Sequence, residues 1–120
     1  MVDQELVFST LDLVETMGQG INFMEIKVER LDLEATVPML RDILDAFYTV
    51  ESVVDPMIDG LEENEIREKT EELKSSFEEL VEEYEGDGQR IYRILDSHLK
   101  PEFKGWKEEI ELRLRPYIVS

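Results

Sequence analysis

His98 is the only histidine of the 120-residue chain and therefore the only side chain whose ordinary pKa lies near neutrality. A general base needs partners, and the sequence places no nucleophile or carboxylate in an evident relay with this residue. A helical di-metal centre needs a Glu-x-x-His step, but Leu95 stands three residues before His98. We therefore expect His98 to pack or to lie on a helix surface.

Glutamates recur at one-turn spacing in EELVEEYE, residues 78–85, and such carboxylates could bind Ca²⁺ or Mg²⁺. Their helical phase is opposite to that of Phe77, Leu80 and Tyr84, which predicts a solvated face instead. This face is also the predicted docking surface for a basic partner. Its residues are Glu71, Glu72, Glu78, Glu79, Glu82 and Glu83.

The remaining motifs indicate structure more than chemistry. Gly86 and Gly88 could belong to a phosphate loop, but no strand precedes them and no lysine follows at the required spacing. Trp106 and its aromatic neighbours recur at helical spacing, which is more typical of a core than of a ligand slot. The chain has no cysteine, which excludes disulfides, thiolate zinc sites and cysteine nucleophiles. We predict no catalytic residue, metal ligand or cofactor.

The elements that position these residues are helices. Apolar residues follow a three-and-four spacing through most of the chain, as in Val14, Met17 and Ile21. Gly18 and Gly20 make a break or a change of helical phase in the first helix a live alternative. Pro101 predicts a kink rather than an end, since the apolar spacing continues past it. The predicted helices cover residues 3–31, 37–58, 62–85 and 88–116.

Four amphipathic helices joined by short corners predict a single domain, residues 1–120, with an all-α fold: an antiparallel up-down four-helix bundle. The net charge is −17, yet seven of the thirteen basic residues fall within residues 86–120. In this topology the last helix lies beside the first and the third, which are both acidic. The expected role of its basic residues is therefore to neutralise these neighbours.

Apolar residues outside the main stripes predict a surface for a partner or for a second copy of the chain. On the first helix they lie opposite the main stripe, and a change of phase at the glycines would account for them without a partner. On the last helix they lie beside it. The predicted surface comprises Phe8, Phe23, Ile26, Leu33, Ile91 and Ile94.

Charge and surplus apolar surface together favour a non-catalytic acidic adaptor or chaperone-like module that binds a protein segment, most favourably a basic amphipathic one. A structural homodimer is the first alternative, and an enzyme or metal-binding bundle is the second. The negative field disfavours nucleic acid and anionic membranes as partners. The beginning of the sequence lacks the pattern of a leader, and we expect a cytoplasmic protein. No motif of fixed residues indicates a family.

Overall fold

A computed structural model describes residues 3–118, which form four helices joined by short corners. The fourth helix is continuous over residues 91–114 but contains one π-helical turn. No strand occurs within residues 3–118, and the predicted all-α four-helix bundle is confirmed. The elements are α1 (Gln4–Glu29), α2 (Thr36–Val54), a 3-10 helix (Asp55–Gly60), α3 (Ile66–Glu85), α4 (Ile91–Ile94), the π turn (Leu95–Leu99), α5 (Lys100–Leu114) and a 3-10 turn (Arg115–Tyr117).

Two contacts between α2 and α3 show that these helices are antiparallel. Phe47 of α2 packs on Phe77 of α3 with ring centroids 5.2 Å apart. Further along α2, Glu51 pairs at 2.8 Å with Lys74, which precedes Phe77 in α3. Because later residues of α2 meet earlier residues of α3, the two helices run in opposite directions.

The two glycines of α1 allow close packing and do not interrupt the helix. A Cβ atom at Gly20 would lie 3.0 Å from Ile43 Cγ1 and from Met39 Sδ, so α2 approaches closely here. A Cβ atom at Gly18 would lie 3.2 Å from a ring carbon of Phe103, so α5 also packs against this segment. The break and the change of phase considered from the sequence do not occur.

Helix ends differ from the predicted ones for local reasons. The second helix ends two residues before Pro56, because proline has no N–H to continue the hydrogen-bond pattern; a 3-10 helix follows. The third begins at Ile66 rather than residue 62, where Asn64 Oδ1 accepts a hydrogen bond from the Ile66 N–H at 3.1 Å. The fourth begins after Gly88, whose φ of 77° is incompatible with a right-handed helix.

The fourth helix continues through Pro101, as predicted. The N–H of Lys100 bonds to the carbonyl of Leu95, five residues earlier, and this wider turn forms the π-helical segment. A proline ring clashes with the carbonyl four residues before it in a regular α-helix. The π turn therefore provides the local irregularity that lets one helix contain this proline.

The core is apolar and aromatic. Leu73, Phe77 and Leu80 of α3 are buried, as the narrow apolar seam predicts. Trp106 is 1% exposed, and its ring lies 5.5 Å from that of Phe47 and 5.8 Å from that of Phe103. Aromatic side chains of α2, α3 and α5 thus form a cluster within the bundle.

Candidate functional site

Basic side chains of the fourth helix pair with acids of α1. Lys107 Nζ lies 2.6 Å from Glu15 Oε2, and Lys100 Nζ lies 2.9 Å from both carboxylate oxygens of Glu25. The hydrogen bond to Glu25 raises the pKa of Lys100, and the hydrogen bond from Lys107 lowers the pKa of Glu15. Both shifts favour the charged forms across the interface between α1 and α5.

The fourth helix also pairs with α3. The Arg90 guanidinium lies 3.9 Å from carboxylate oxygens of Glu79 and Glu83, and His98 Nδ1 lies 2.9 Å from Glu79 Oε1. These contacts agree with the expected neutralisation of acidic neighbours by the last helix. They also remove Glu79 and Glu83 from the predicted acidic partner face, because both carboxylates are turned towards α4 and the π turn.

Four glutamates of the predicted face remain exposed, and we call Glu71, Glu72, Glu78 and Glu82 the outer acidic face. Glu71 approaches Lys74 at 3.7 Å, yet 72% of its side chain is exposed. The other three form no ion pair within residues 3–118. Glu78 and Glu82 are one helical turn apart, so their charges repel. A cationic partner would relieve this repulsion.

The apolar surface predicted on α1 is exposed. Phe8 is 64% exposed, Ile26 is 48% exposed and Phe23 is 37% exposed. The ammonium group of Lys27 lies 5.5 Å from the Phe23 ring centroid and covers part of it. Since α1 has no change of phase, packing within the bundle does not account for these side chains.

The prediction is wrong for Ile91 and Ile94, which are 1% and 0% exposed. The fourth helix packs against both α1 and α3, so it buries a wider arc than one apolar stripe indicates. Leu33 is partly buried and packs against the core. The sequence did not reveal Leu31, which is 89% exposed and has a left-handed backbone with φ of 62°.

A groove between α2 and α3 borders the outer acidic face and has a volume of about 140 Å³. Trp106 and Ile110 of α5 contribute to its lining, together with apolar side chains of α2, the 3-10 helix and the start of α3. Trp106 Nε1 donates a 3.0 Å hydrogen bond to Thr70 Oγ1, which fixes the indole in this position. The apolar lining residues from these three elements are Val50, Val54, Ile58 and Ile66.

The charged residues of this groove are mostly acidic: Glu51, Asp55 and Glu71, with Arg67 as the basic exception. Arg67 lies 3.6 Å from Asp55 and 3.3 Å from a second aspartate, Asp59. Glu71 belongs to both the groove and the outer acidic face. We call the groove and its polar residues the α2–α3 pocket. No local pattern in the sequence predicts this pocket, because it depends on how far apart α2 and α3 lie, and their aromatic side chains meet only at Phe47 and Phe77.

A wider cleft of about 540 Å³ lies between α1 and α5. Gly18 and Phe103 contribute to its lining, and three lysines surround it: Lys100, Lys104 and Lys107. Two of these lysines already form the ion pairs with α1. The positive charge of this cleft is therefore partly neutralised within the bundle, which weakens it as a site for anions.

The contact between His98 Nδ1 and Glu79 Oε1, at 2.9 Å, gives the histidine a carboxylate partner that the sequence did not reveal. Within residues 3–118, no hydroxyl group forms a hydrogen bond with the imidazole ring. In the same part of the chain, no three His, Asp or Glu side chains converge as metal ligands.

Comparison with known proteins identifies a family without a described activity. Residues 5–109 match a family described as a domain of unknown function, DUF8042. No curated protein and no solved structure matches the chain. Among residues 3–118, no helix combines the length and apolar character needed to cross a membrane.

Proposed function

The chain belongs to the DUF8042 family of domains of unknown function, and we propose that it is a non-catalytic acidic adaptor or chaperone-like module that binds a basic amphipathic segment of another protein. One observation carries this proposal: the division of the α3 glutamates. Glu79 and Glu83 are paired with the fourth helix, whereas the outer acidic face is exposed to solvent.

The physical basis is charge complementarity. A chain of net charge −17 attracts cationic segments over distances of about a Debye length, roughly 10 Å at 0.1 M salt. The same field repels phosphate backbones and anionic lipids, which argues against nucleic acid and membranes as partners. The cytoplasmic location expected from the sequence stays a prediction and forms part of this proposal.

The experiment compares two variants with the same total change of charge. The first replaces all four glutamates of the outer acidic face with glutamine. The second is the matched control and neutralises four exposed acids on α1, α2 and their corner. These acids are Asp12, Glu34, Asp42 and Asp45. Partners captured from a lysate of the source cells are identified by mass spectrometry, and the affinity of a recovered partner is then measured for each variant.

We expect the first variant to weaken the partner by roughly fourfold to several hundredfold, because each exposed ion pair contributes about 0.2 to 1 kcal/mol. The control should bind like the unmodified chain. Raising salt from about 50 to about 500 mM should weaken the unmodified chain and the control more than the first variant. A recovered partner that is insensitive both to the four glutamines and to salt would contradict the proposal.

Self-association is a second candidate function, favoured by the exposed side chains of the unbroken α1. A homodimer would bury Phe23 and Ile26 against a second copy. Phe23→Glu with Ile26→Glu should then convert a larger species to a folded monomer in light scattering, whereas Leu112→Glu on α5 should leave the mass unchanged. An unmodified chain that is already monomeric at high concentration would eliminate this candidate.

A further inference from the structure

We infer that the α2–α3 pocket anchors one aliphatic side chain of the basic segment, while flanking cationic side chains of that segment contact the acids around the pocket. This inference rests on the proposed function and specifies where on the module the partner docks. It commits to one occupant, which is a lysine-rich or arginine-rich segment that presents a single leucine, isoleucine or valine.

The size of the pocket limits the anchor. Its volume of about 140 Å³ is close to that of an apolar cavity of about 150 Å³ that holds one benzene molecule. One branched aliphatic side chain fits this space, and an indole is too large. The lining by Val50, Val54 and Ile66 offers no buried charge that would select a polar anchor.

Charge around the pocket selects the flanking residues of the segment. On the α2 side, Asp55 is 62% exposed and Asp59 is 87% exposed at the level of their side chains. On the α3 side, Glu71 continues into the outer acidic face. Among the described residues, Arg67 is the only cation in the lining, and its contacts with the two aspartates reach no closer than 3.3 Å. Lys74, just outside the lining, lies 2.8 Å from Glu51 and 3.7 Å from Glu71, so four acids around the pocket face two cations. An inserted aliphatic side chain would thus have acids on both sides, which suits cations before and after it in the segment.

Trp106 makes the inference measurable. It is the only tryptophan of the chain, and it lines the α2–α3 pocket. Insertion of an aliphatic side chain changes the surroundings of the indole, so its fluorescence emission should shift. A cation that binds only the outer acidic face would not contact the indole and should leave the emission unchanged.

The experiment uses the full chain and three synthetic peptides of about 18 residues, long enough to form a helix on binding. The leucine peptide contains lysines one turn apart, alanines elsewhere and one central leucine. The alanine peptide replaces that leucine with alanine. The glutamate peptide keeps the leucine but replaces every lysine with glutamate. Dissociation constants come from calorimetry at low salt, with Trp106 emission recorded in parallel.

We expect the leucine peptide to bind about tenfold or more tightly than the alanine peptide, because it buries one aliphatic side chain. Only the leucine peptide should shift the Trp106 emission. The glutamate peptide should not bind measurably.

Variants of the protein test the location. Val54→Leu places an additional methylene group in the pocket, and it should abolish the preference for the leucine peptide while keeping or raising the melting temperature. Val14→Leu is the matched control in the α1 core; it should lower the melting temperature and keep the preference. If Val54→Leu fails to fold, Ile58→Phe narrows the pocket from a partly buried position in the 3-10 helix and serves the same purpose.

The possible failures are distinguishable. Equal affinities of the leucine and alanine peptides, with unchanged Trp106 emission, would overturn the pocket and leave the proposed function intact. Absence of binding by both lysine peptides would overturn the proposed function and this inference together. Tight binding of the glutamate peptide would show that the occupant is not basic. A Trp106 shift that depends on protein concentration without peptide would identify a second copy as the occupant; either result overturns the inference.

Discussion

The hydrogen bond between Trp106 and Thr70 should make a measurable contribution to stability. Both residues are buried, at 1% and 7% exposure, and the indole nitrogen donates to the threonine hydroxyl at 3.0 Å. Thr70→Val keeps the shape of the side chain but removes the acceptor. The buried N–H then has no partner, which costs about 1 to 3 kcal/mol. The added methyl group recovers part of this, so we expect a net loss of about 1 to 2 kcal/mol from a total of roughly 5 to 15.

Urea denaturation followed by circular dichroism and by Trp106 fluorescence measures this loss. Thr70→Ser is the matched control, because it keeps the hydroxyl group and removes only a methyl group. Thr70→Ser should lower the free energy of unfolding by less than Thr70→Val does, and by about 1 kcal/mol at most. If Thr70→Val is as stable as the unmodified chain while Thr70→Ser is clearly less stable, the methyl group of Thr70 matters and the hydrogen bond does not.

Three further outcomes are expected. Leu73→Ala should lower the free energy of unfolding by about 2 to 5 kcal/mol, because it leaves a cavity in the core, whereas Glu78→Ala should hardly change it. Similar urea midpoints for the two variants would mean that the buried face of α3 is misassigned. The hydrogen bond from an arginine one turn later lowers the pKa of Glu109 in the folded chain, so this group stabilises the fold above its unfolded pKa of about 4.3 and loses that contribution as pH falls. Glu109→Gln should therefore lower the melting temperature at pH 7, and the difference should shrink towards pH 3; a constant difference would refute the ionic contribution. Leu31→Gly should stabilise the fold by about 0.5 to 1 kcal/mol, because it relieves a left-handed backbone and loses almost no burial, and a decrease in the melting temperature would refute this reasoning.

Helical periodicity was sufficient to predict the fold. The spacing of Leu73, Phe77 and Leu80 identifies a buried face whatever the neighbouring helices are, because it follows from the geometry of one helix. The glycines of α1 were ambiguous for the opposite reason. Whether Gly20 breaks a helix or permits close packing depends on a second helix, and only the structure places Ile43 against it.

The candidate site was only partly predictable. Outward-facing glutamates could be recognised from their helical phase, but the sequence could not separate Glu79 and Glu83 from the others, since that distinction depends on where Arg90 lies. Ile91 was misassigned because one helix cannot reveal how many neighbours cover it. The α2–α3 pocket arises from the separation of two helices and has no counterpart in any local pattern.

The distribution of charge connects stability with the proposed function. Glu78 and Glu82 repel each other one turn apart on α3, and α3 carries no basic residue in its last turn to offset its helix dipole. Arg90, at the start of the fourth helix, pairs with Glu79 and Glu83, whereas Glu72, Glu78 and Glu82 form no ion pair within residues 3–118. A cationic segment bound to the outer acidic face would therefore offset its negative charge, as Arg90 offsets that of Glu79 and Glu83. It follows that a true partner should raise the melting temperature by an amount that grows with the logarithm of its concentration over its dissociation constant. The four-glutamine variant should already show part of that gain without any partner, because it has lost the repulsion between Glu78 and Glu82.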